Sequence, residues 1–125
     1  DYHVNEGEEF FYQLEGTMNL KMWIDGAPKD FPIAAGEIFL LPAKIPHSPQ
    51  RPVGTVGVVI ERRRQANELD GLVWYCDKCH EKVYEEYFHL TDIVKQFPPV
   101  FERFYKNENN CTCKKCGHKI TNAKN

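Results

Sequence analysis

The 125-residue chain reads as a mainly β domain carrying a metal-tied C-terminal segment. Three observations predict this. Residues 1–62 break into short apolar runs separated by Gly, Pro and Asp turns. Residues 17–24 alternate, with Met18, Leu20 and Met22 on one parity and Asn19 and Lys21 on the other. Two Cys-x-x-C pairs then follow, Cys76/Cys79 and Cys113/Cys116. Short strands joined by tight turns build a sandwich or a barrel.

The elements follow in order. Phe10-Phe11-Tyr12-Gln13-Leu14 is an aromatic-rich strand, closed by a turn at Glu15-Gly16. The alternating run 17–24 is the next strand, and Asp25-Gly26-Ala27-Pro28 the next turn. Residues 37–41 and 55–61 are apolar, partly β-branched strands. Residues 62–68 form a polar stretch that leaves the barrel, and Arg62, Arg63 and Arg64 read as a solvated connection. Residues 71–76 form a strand ending in the first cysteine pair. Thr91 is expected to cap a short helix through Gln96, which Pro98-Pro99 interrupts before further helical turns through Tyr105. The expected division is a barrel over 1–68, a C-terminal segment with the cysteine site over 69–120, and a polar tail over 121–125.

Composition removes several function classes. A content of 42% hydrophobic and 13% aromatic residues supports a buried core, and a formal charge of -2 gives no basis for nucleic acid or a membrane surface as the main partner. No apolar run approaches the roughly 18 residues that span a bilayer. The five cysteines cluster and their number is odd, which favours metal ligation in a reducing compartment over a disulfide framework and predicts a cytoplasmic protein. The chain opens at Asp1 inside a motif, so the expectation is that N-terminal residues are missing and the barrel is incomplete at that end.

Each Cys-x-x-C knuckle presents two thiolates, and the two together complete a tetrahedral S4 site for Zn or Fe. Four thiolates leave no open position, so Cys76, Cys79, Cys113 and Cys116 make a structural site. A redox role for the pairs lacks the βαβ context it needs. Cys111 is left as a free thiol; His80 and His118 flank the knuckles as lesser candidate ligands, and His89 has no evident site.

His3, Glu9 and His47 are the candidates for a second centre. Two imidazoles and a carboxylate hold one face of a ferrous ion and leave other positions open. Alternate side chains of a strand share a face, so Phe11 and Gln13 accompany Glu9, and Pro49 and Arg51 accompany His47 if that segment is extended. Phe11 and Pro49 then supply apolar walls. A buried arginine needs a partner, and a substrate carboxylate suits the guanidinium of Arg51; the alternative is a surface acid. Glu61, ending its strand, is placed for proton handling if that strand lines the same cavity, and is otherwise a solvated strand end. Glu6 and Glu8 read as loop acids.

Gly36-Glu37-Ile38-Phe39-Leu40-Leu41-Pro42 leading to His47 resembles a cupin motif, which implies a cupin barrel (a double-stranded β-helix or jelly roll). The stretch Asp1-Tyr2-His3-Val4-Asn5-Glu6-Gly7-Glu8-Glu9, with Pro46-His47-Ser48-Pro49-Gln50-Arg51-Pro52, Ile60-Glu61-Arg62 and Trp74-Tyr75-Cys76, is similar to the 3-hydroxyanthranilate 3,4-dioxygenases, closest to members with a rubredoxin-like C-terminal metal site. The resemblance implies catalytic Fe(II) on His3, Glu9 and His47, a second Fe or Zn on the four cysteines, Arg51 on the substrate carboxylate, Glu61 on its amino and hydroxyl groups, and Phe11 and Pro49 lining the ring pocket. It implies opening of 3-hydroxyanthranilate by O2 to 2-amino-3-carboxymuconate semialdehyde, which closes to quinolinate, a precursor of NAD in the kynurenine pathway. It also implies a homodimer, and barrel strands upstream of Asp1 that carry a second arginine. The competing readings are another metal-dependent cupin enzyme, such as a sugar isomerase, and a non-catalytic metal-stabilised binding module. The basic residues Lys114, Lys115, Lys119 and Lys124 favour the module, but a pure binder has no use for an open metal triad.

Overall fold

The computed structural model describes residues 1–122; the end of the expected polar tail, 123–125, lies outside the described residues. The strands are β1 (Tyr2–Val4), β2 (Glu9–Glu15), β3 (Met18–Ile24), β4 (Ala27–Ile33), β5 (Ile38–Leu41), β6 (His47–Gln50), β7 (Val56–Glu61), β8 (Asp70–Tyr75) and β9 (Lys82–Phe88). Two helices follow, α1 (Ile93–Tyr105) and α2 (Glu108–Cys111). The strands form two antiparallel sheets, one of six strands in the order β4-β3-β6-β1-β8-β9 and one of three in the order β5-β2-β7. This is a mainly β, cupin-like sandwich with small C-terminal helices and a cysteine cluster, in agreement with the sequence pattern.

Period-two patterning places the inner faces. In β3, Met18, Leu20 and Met22 are buried, and in β2 so are Glu9, Phe11 and Gln13. Phe11, Met18, Leu20, Met22, Ile33 and Leu41 form one core between the sheets. The six-stranded sheet extends beyond this core, and α1 covers the extension. There Leu72 and Trp74 of β8 pack on Val100 and Phe104 of α1, with Cys111 of α2 beside them. Trp74 and Phe104 stack with ring centroids 4.2 Å apart. The sheet runs through the junction expected near residue 68, because β8 pairs with β1 on one side and β9 on the other.

Two expectations need correction. The helix is capped by Asp92, whose side chain accepts from the Lys95 N–H at 3.2 Å, while Gln96 Oε1 accepts from the N–H groups of Thr91 and Asp92. It also runs unbroken through Pro98 and Pro99. These prolines remove the bonds to the carbonyls of Val94 and Lys95, but both residues are exposed, so water can take the freed acceptors. Burial of Val100 and Phe104 against Trp74 outweighs the local penalty. The second correction concerns the arginines. Arg62 and Arg63 are exposed, but the Arg64 side chain is only 20% exposed and turns back onto Glu61 and Asp70.

Phe104→Ala is expected to cost about 3–5 kcal/mol, the range for losing a fully buried aromatic ring. Denaturant unfolding measures it; a loss below about 1 kcal/mol would contradict the role given to this second core.

Candidate active site

β1 and β6 are neighbours, and His3 lies directly opposite His47 in that pairing. Glu9 opens β2 on the facing sheet. One ligand atom from each of His3, Glu9 and His47 lies within 4.8 Å of the others. Glu9 and His47 are buried and His3 is half-buried.

Each imidazole is anchored through one nitrogen. His47 Nδ1 donates to the Ile45 carbonyl at 2.9 Å, which leaves Nε2 facing Glu9 Oε2 at 2.8 Å. His3 Nε2 bonds Asp70 Oδ2 at 2.6 Å, which leaves Nδ1 for a metal. Ligating histidines generally have the second nitrogen held by a carbonyl or carboxylate in this way, so the donor set fits a divalent metal. Burial pushes the Glu9 carboxyl up, but the hydrogen bond and charge of His47, with His3 nearby, more than offset this and hold it below the usual range. Asp70 follows the same pattern: burial raises it, and His3 and Arg64 together bring it below the ordinary value.

A cavity of about 570 Å³ opens on the triad, lined among others by Phe11, Pro49, Val59, Glu61, Ile93 and Phe97. That is room for a small aromatic acid. Across β2 and β7, Glu9 faces Glu61, Phe11 faces Val59 and Gln13 faces Gly57. Glu61 therefore lines the cavity next to the triad. Arg51 lies past the end of β6, is exposed, and does not line that cavity itself. Its guanidinium rests over Gly57, where a Cβ would come 2.9 Å from Arg51 Nη1 and 2.5 Å from Gln13 Oε1. Gly57 is the residue that leaves room there. Because Gly57, Val59 and Glu61 share a strand face, Arg51 and Glu61 stand at opposite ends of one row.

The sequence reading missed three groups. Asn5 is buried, and its amide donates to Glu9 Oε1 at 3.0 Å and to Glu61 Oε2 at 3.1 Å. Asp70 and Arg64 complete the network behind His3. Asp70 opens β8 at the end of a polar connection, so the local pattern carried no signal for it.

The four cysteine sulfurs also converge, within 4.8 Å of one another, with Cys76–Cys116 and Cys79–Cys113 at 3.5 Å. The knuckles have the same backbone plan. Cys76 N–H donates to Glu81 and His80 N–H to Cys76; Cys113 N–H donates to His118 and Gly117 N–H to Cys113. His80 and Gly117 hold the equivalent left-handed position, at φ 64° and 77°. Backbone N–H groups, led by that of Cys116, lower the Cys113 thiol to about 7. The Glu81 N–H favours the Cys79 thiolate, but burial and the neighbouring thiols outweigh it and push that thiol up to about 12. Four such thiols ionise together only around a cation, so the set fits a metal. Neither His80 nor His118 belongs to the converging group, and Cys111 is buried outside it.

The family model for 3-hydroxyanthranilic acid dioxygenase matches residues 1–105. The chain belongs to that family. The chain is 57% identical over 118 residues to 3-hydroxyanthranilate 3,4-dioxygenase of Xanthomonas euvesicatoria pv. vesicatoria, covering 94% of this chain and 67% of that protein. It is 48% identical to that of Paraburkholderia phytofirmans, over 94% of this chain and 68% of the relative. The mouse protein of the same name is 51% identical over 86% of this chain and 38% of its own length. By family this chain is an enzyme, a dioxygenase and hence an oxidoreductase. No helix among the described residues is long and apolar enough to cross a membrane.

Two outcomes follow from these sites. The Asp70 carboxyl is depressed in the fold, so it favours the folded chain above its unfolded value near about 4. That support is lost as pH falls through the lower folded value. Thermal melts of the metal-free chain should therefore fall below about pH 4, and Asp70→Asn should lower stability at neutral pH while flattening the acid decline. An unchanged acid profile would remove Asp70 from the account. For the cysteine site, Cys113→Ser should lose one metal per chain and lower the melting temperature; loss of metal with an unchanged melting temperature would contradict a structural role.

Proposed function

We propose that the chain is the catalytic part of a 3-hydroxyanthranilate 3,4-dioxygenase. The observation that carries this is the convergence of His3, Glu9 and His47 on a cavity that Glu61 lines, with the Arg51 guanidinium standing beside it over Gly57. His3, Glu9 and His47 would hold Fe(II), and Cys76, Cys79, Cys113 and Cys116 a second Fe or Zn. Fe(II), when bound, supplies the Lewis acidity and redox activity that let O2 react with the ring.

The chain's own residues bind and orient. Arg51 takes the substrate carboxylate by paired, charge-assisted hydrogen bonds. Phe11, Pro49 and Val59 hold the ring flat between the two sheets. Glu61 accepts the proton released when the hydroxyl group ionises, and its contact with the amino group fixes which ring edge faces the metal. The ring opens between the hydroxyl-bearing carbon and its neighbour, and both atoms of O2 end in 2-amino-3-carboxymuconate semialdehyde. That product closes without further protein chemistry to quinolinate, which places the enzyme before NAD. The working form is proposed to be a cytoplasmic homodimer.

The test is O2 uptake by the Fe(II)-loaded chain on addition of 3-hydroxyanthranilate, with Arg51→Ala alongside. Uptake by the wild type is expected. The variant should keep its metal and lose about 10- to 100-fold in substrate affinity, as befits a lost charged hydrogen bond. Normal turnover by Arg51→Ala would strip Arg51 of its role, and no uptake by an iron-bound wild type would favour another cupin substrate.

A further inference from the structure

Arg64 sits in the stretch that reads as a solvated connection, yet its side chain reaches both halves of the site. Nε and Nη2 donate to the Asp70 carboxylate at 2.5 and 2.8 Å, and Nη2 also donates to Glu61 Oε2 at 3.2 Å. Asp70 Oδ2 holds His3 Nε2. Glu61 Oε2 takes a second bond from Asn5, whose amide also holds Glu9. The result is a continuous path from His3 through Asp70, Arg64, Glu61 and Asn5 to Glu9 and His47.

We infer that Arg64 is a positioning residue, whose guanidinium fork sets the orientation of Glu61 toward substrate and, through Asp70, that of the His3 ring. The inference rests on the dioxygenase reading for its catalytic half. Three features carry it. The two donors to Glu61, Asn5 and Arg64, both reach Oε2, so together they set how its carboxyl is turned beside Glu9, which also bonds it. Glu9, Glu61 and Asp70 bring three carboxylates together, and the arginine is a fixed cation bonded to two of them. The fork is also rigid and planar, so holding Asp70 through two nitrogens determines where the remaining donor points. The neighbouring Arg62 differs: it pairs with Glu68 at 2.8 and 2.5 Å and packs over Gly7, bonding neither Glu61 nor Asp70.

The test uses the full chain with Zn(II) filling the cysteine site. Variants Arg64→Lys, Arg64→Met and Arg62→Gln are compared with the wild type for kcat, KM, Co(II) affinity of the open site, and melting temperature. Lysine keeps a charge for Asp70 but cannot hold both carboxylates as the fork does. Arg64→Lys should therefore lower kcat about tenfold or more, with KM within about threefold and Co(II) affinity near wild type. Arg64→Met should lower kcat at least as far and weaken Co(II) binding about 10- to 100-fold, as loss of support behind a ligand does. Millimolar guanidinium should restore part of its kcat, a rescue that a purely structural lesion does not show. Arg62→Gln should match the wild type in kcat, KM and Co(II) affinity.

Wild-type kcat and Co(II) affinity in both Arg64 variants would overturn the inference. So would losses in kcat that merely track melting temperature and appear equally in Arg62→Gln. A wild type that binds Co(II) normally yet takes up no O2 in its Fe(II) form would instead refute the dioxygenase reading and the Glu61 half with it; the Co(II) titrations would still decide the His3 half.

Discussion

Burying the Glu9 carboxylate beside two imidazoles is the constraint around which this molecule is organised. A buried charge without partners is costly enough that the group would neutralise or the site would open. Here every polar neighbour is itself held. Asn5 ties Glu9 to Glu61, the Ile45 carbonyl fixes His47, and Asp70 fixes His3. Those partners come from β1, β6, β8 and the segments between strands, so the site exists only when the two sheets have closed on one another.

Position follows from the same constraint. The triad lies where the inter-sheet core ends and the core under α1 begins, with Phe97 of α1 set edge-on to His3 at 5.6 Å. The strand cores give the ligands a rigid base, which suits a site that must hold geometry. The cysteine knuckles act further along the same sheet. Cys76 follows directly on β8, which carries Asp70 at its other end, so fixing the knuckle fixes the strand that supports His3. Trp23 stacks on Tyr75 at 3.9 Å and ties that end of β8 back to the barrel.

Legibility in the sequence divided along physical lines. Period-two burial in β2 and β3, the Cys-x-x-C pairs and the parity linking Glu9 with Phe11 and Gln13 depend on local pattern, and the structure has all of them. Strand β4 was not legible, because Pro28, Lys29, Asp30 and Pro32 contradict strand propensity; it forms as an edge strand, where prolines are tolerated. Helix α1 looked divided at Pro98-Pro99 because the sequence does not display the aromatic partners that hold it together. Arg64 read as part of a solvated connection because nothing in the local pattern shows that the chain turns back there, bringing it onto Glu61 and Asp70, and the role of Asp70 was hidden because its partner His3 is 67 residues away. The triad was legible through family resemblance together with spacing, and Arg51 proved to stand beside the cavity over Gly57 and not on its lining.

The most direct measurement is an anaerobic titration of 3-hydroxyanthranilate into the chain with and without Fe(II), repeated on His47→Ala. If the triad is an open metal centre that presents iron to this substrate, tight binding should require Fe(II) and should vanish in the variant. Equal affinity with and without Fe(II), or Fe(II)-dependent binding that survives in His47→Ala, would contradict the account.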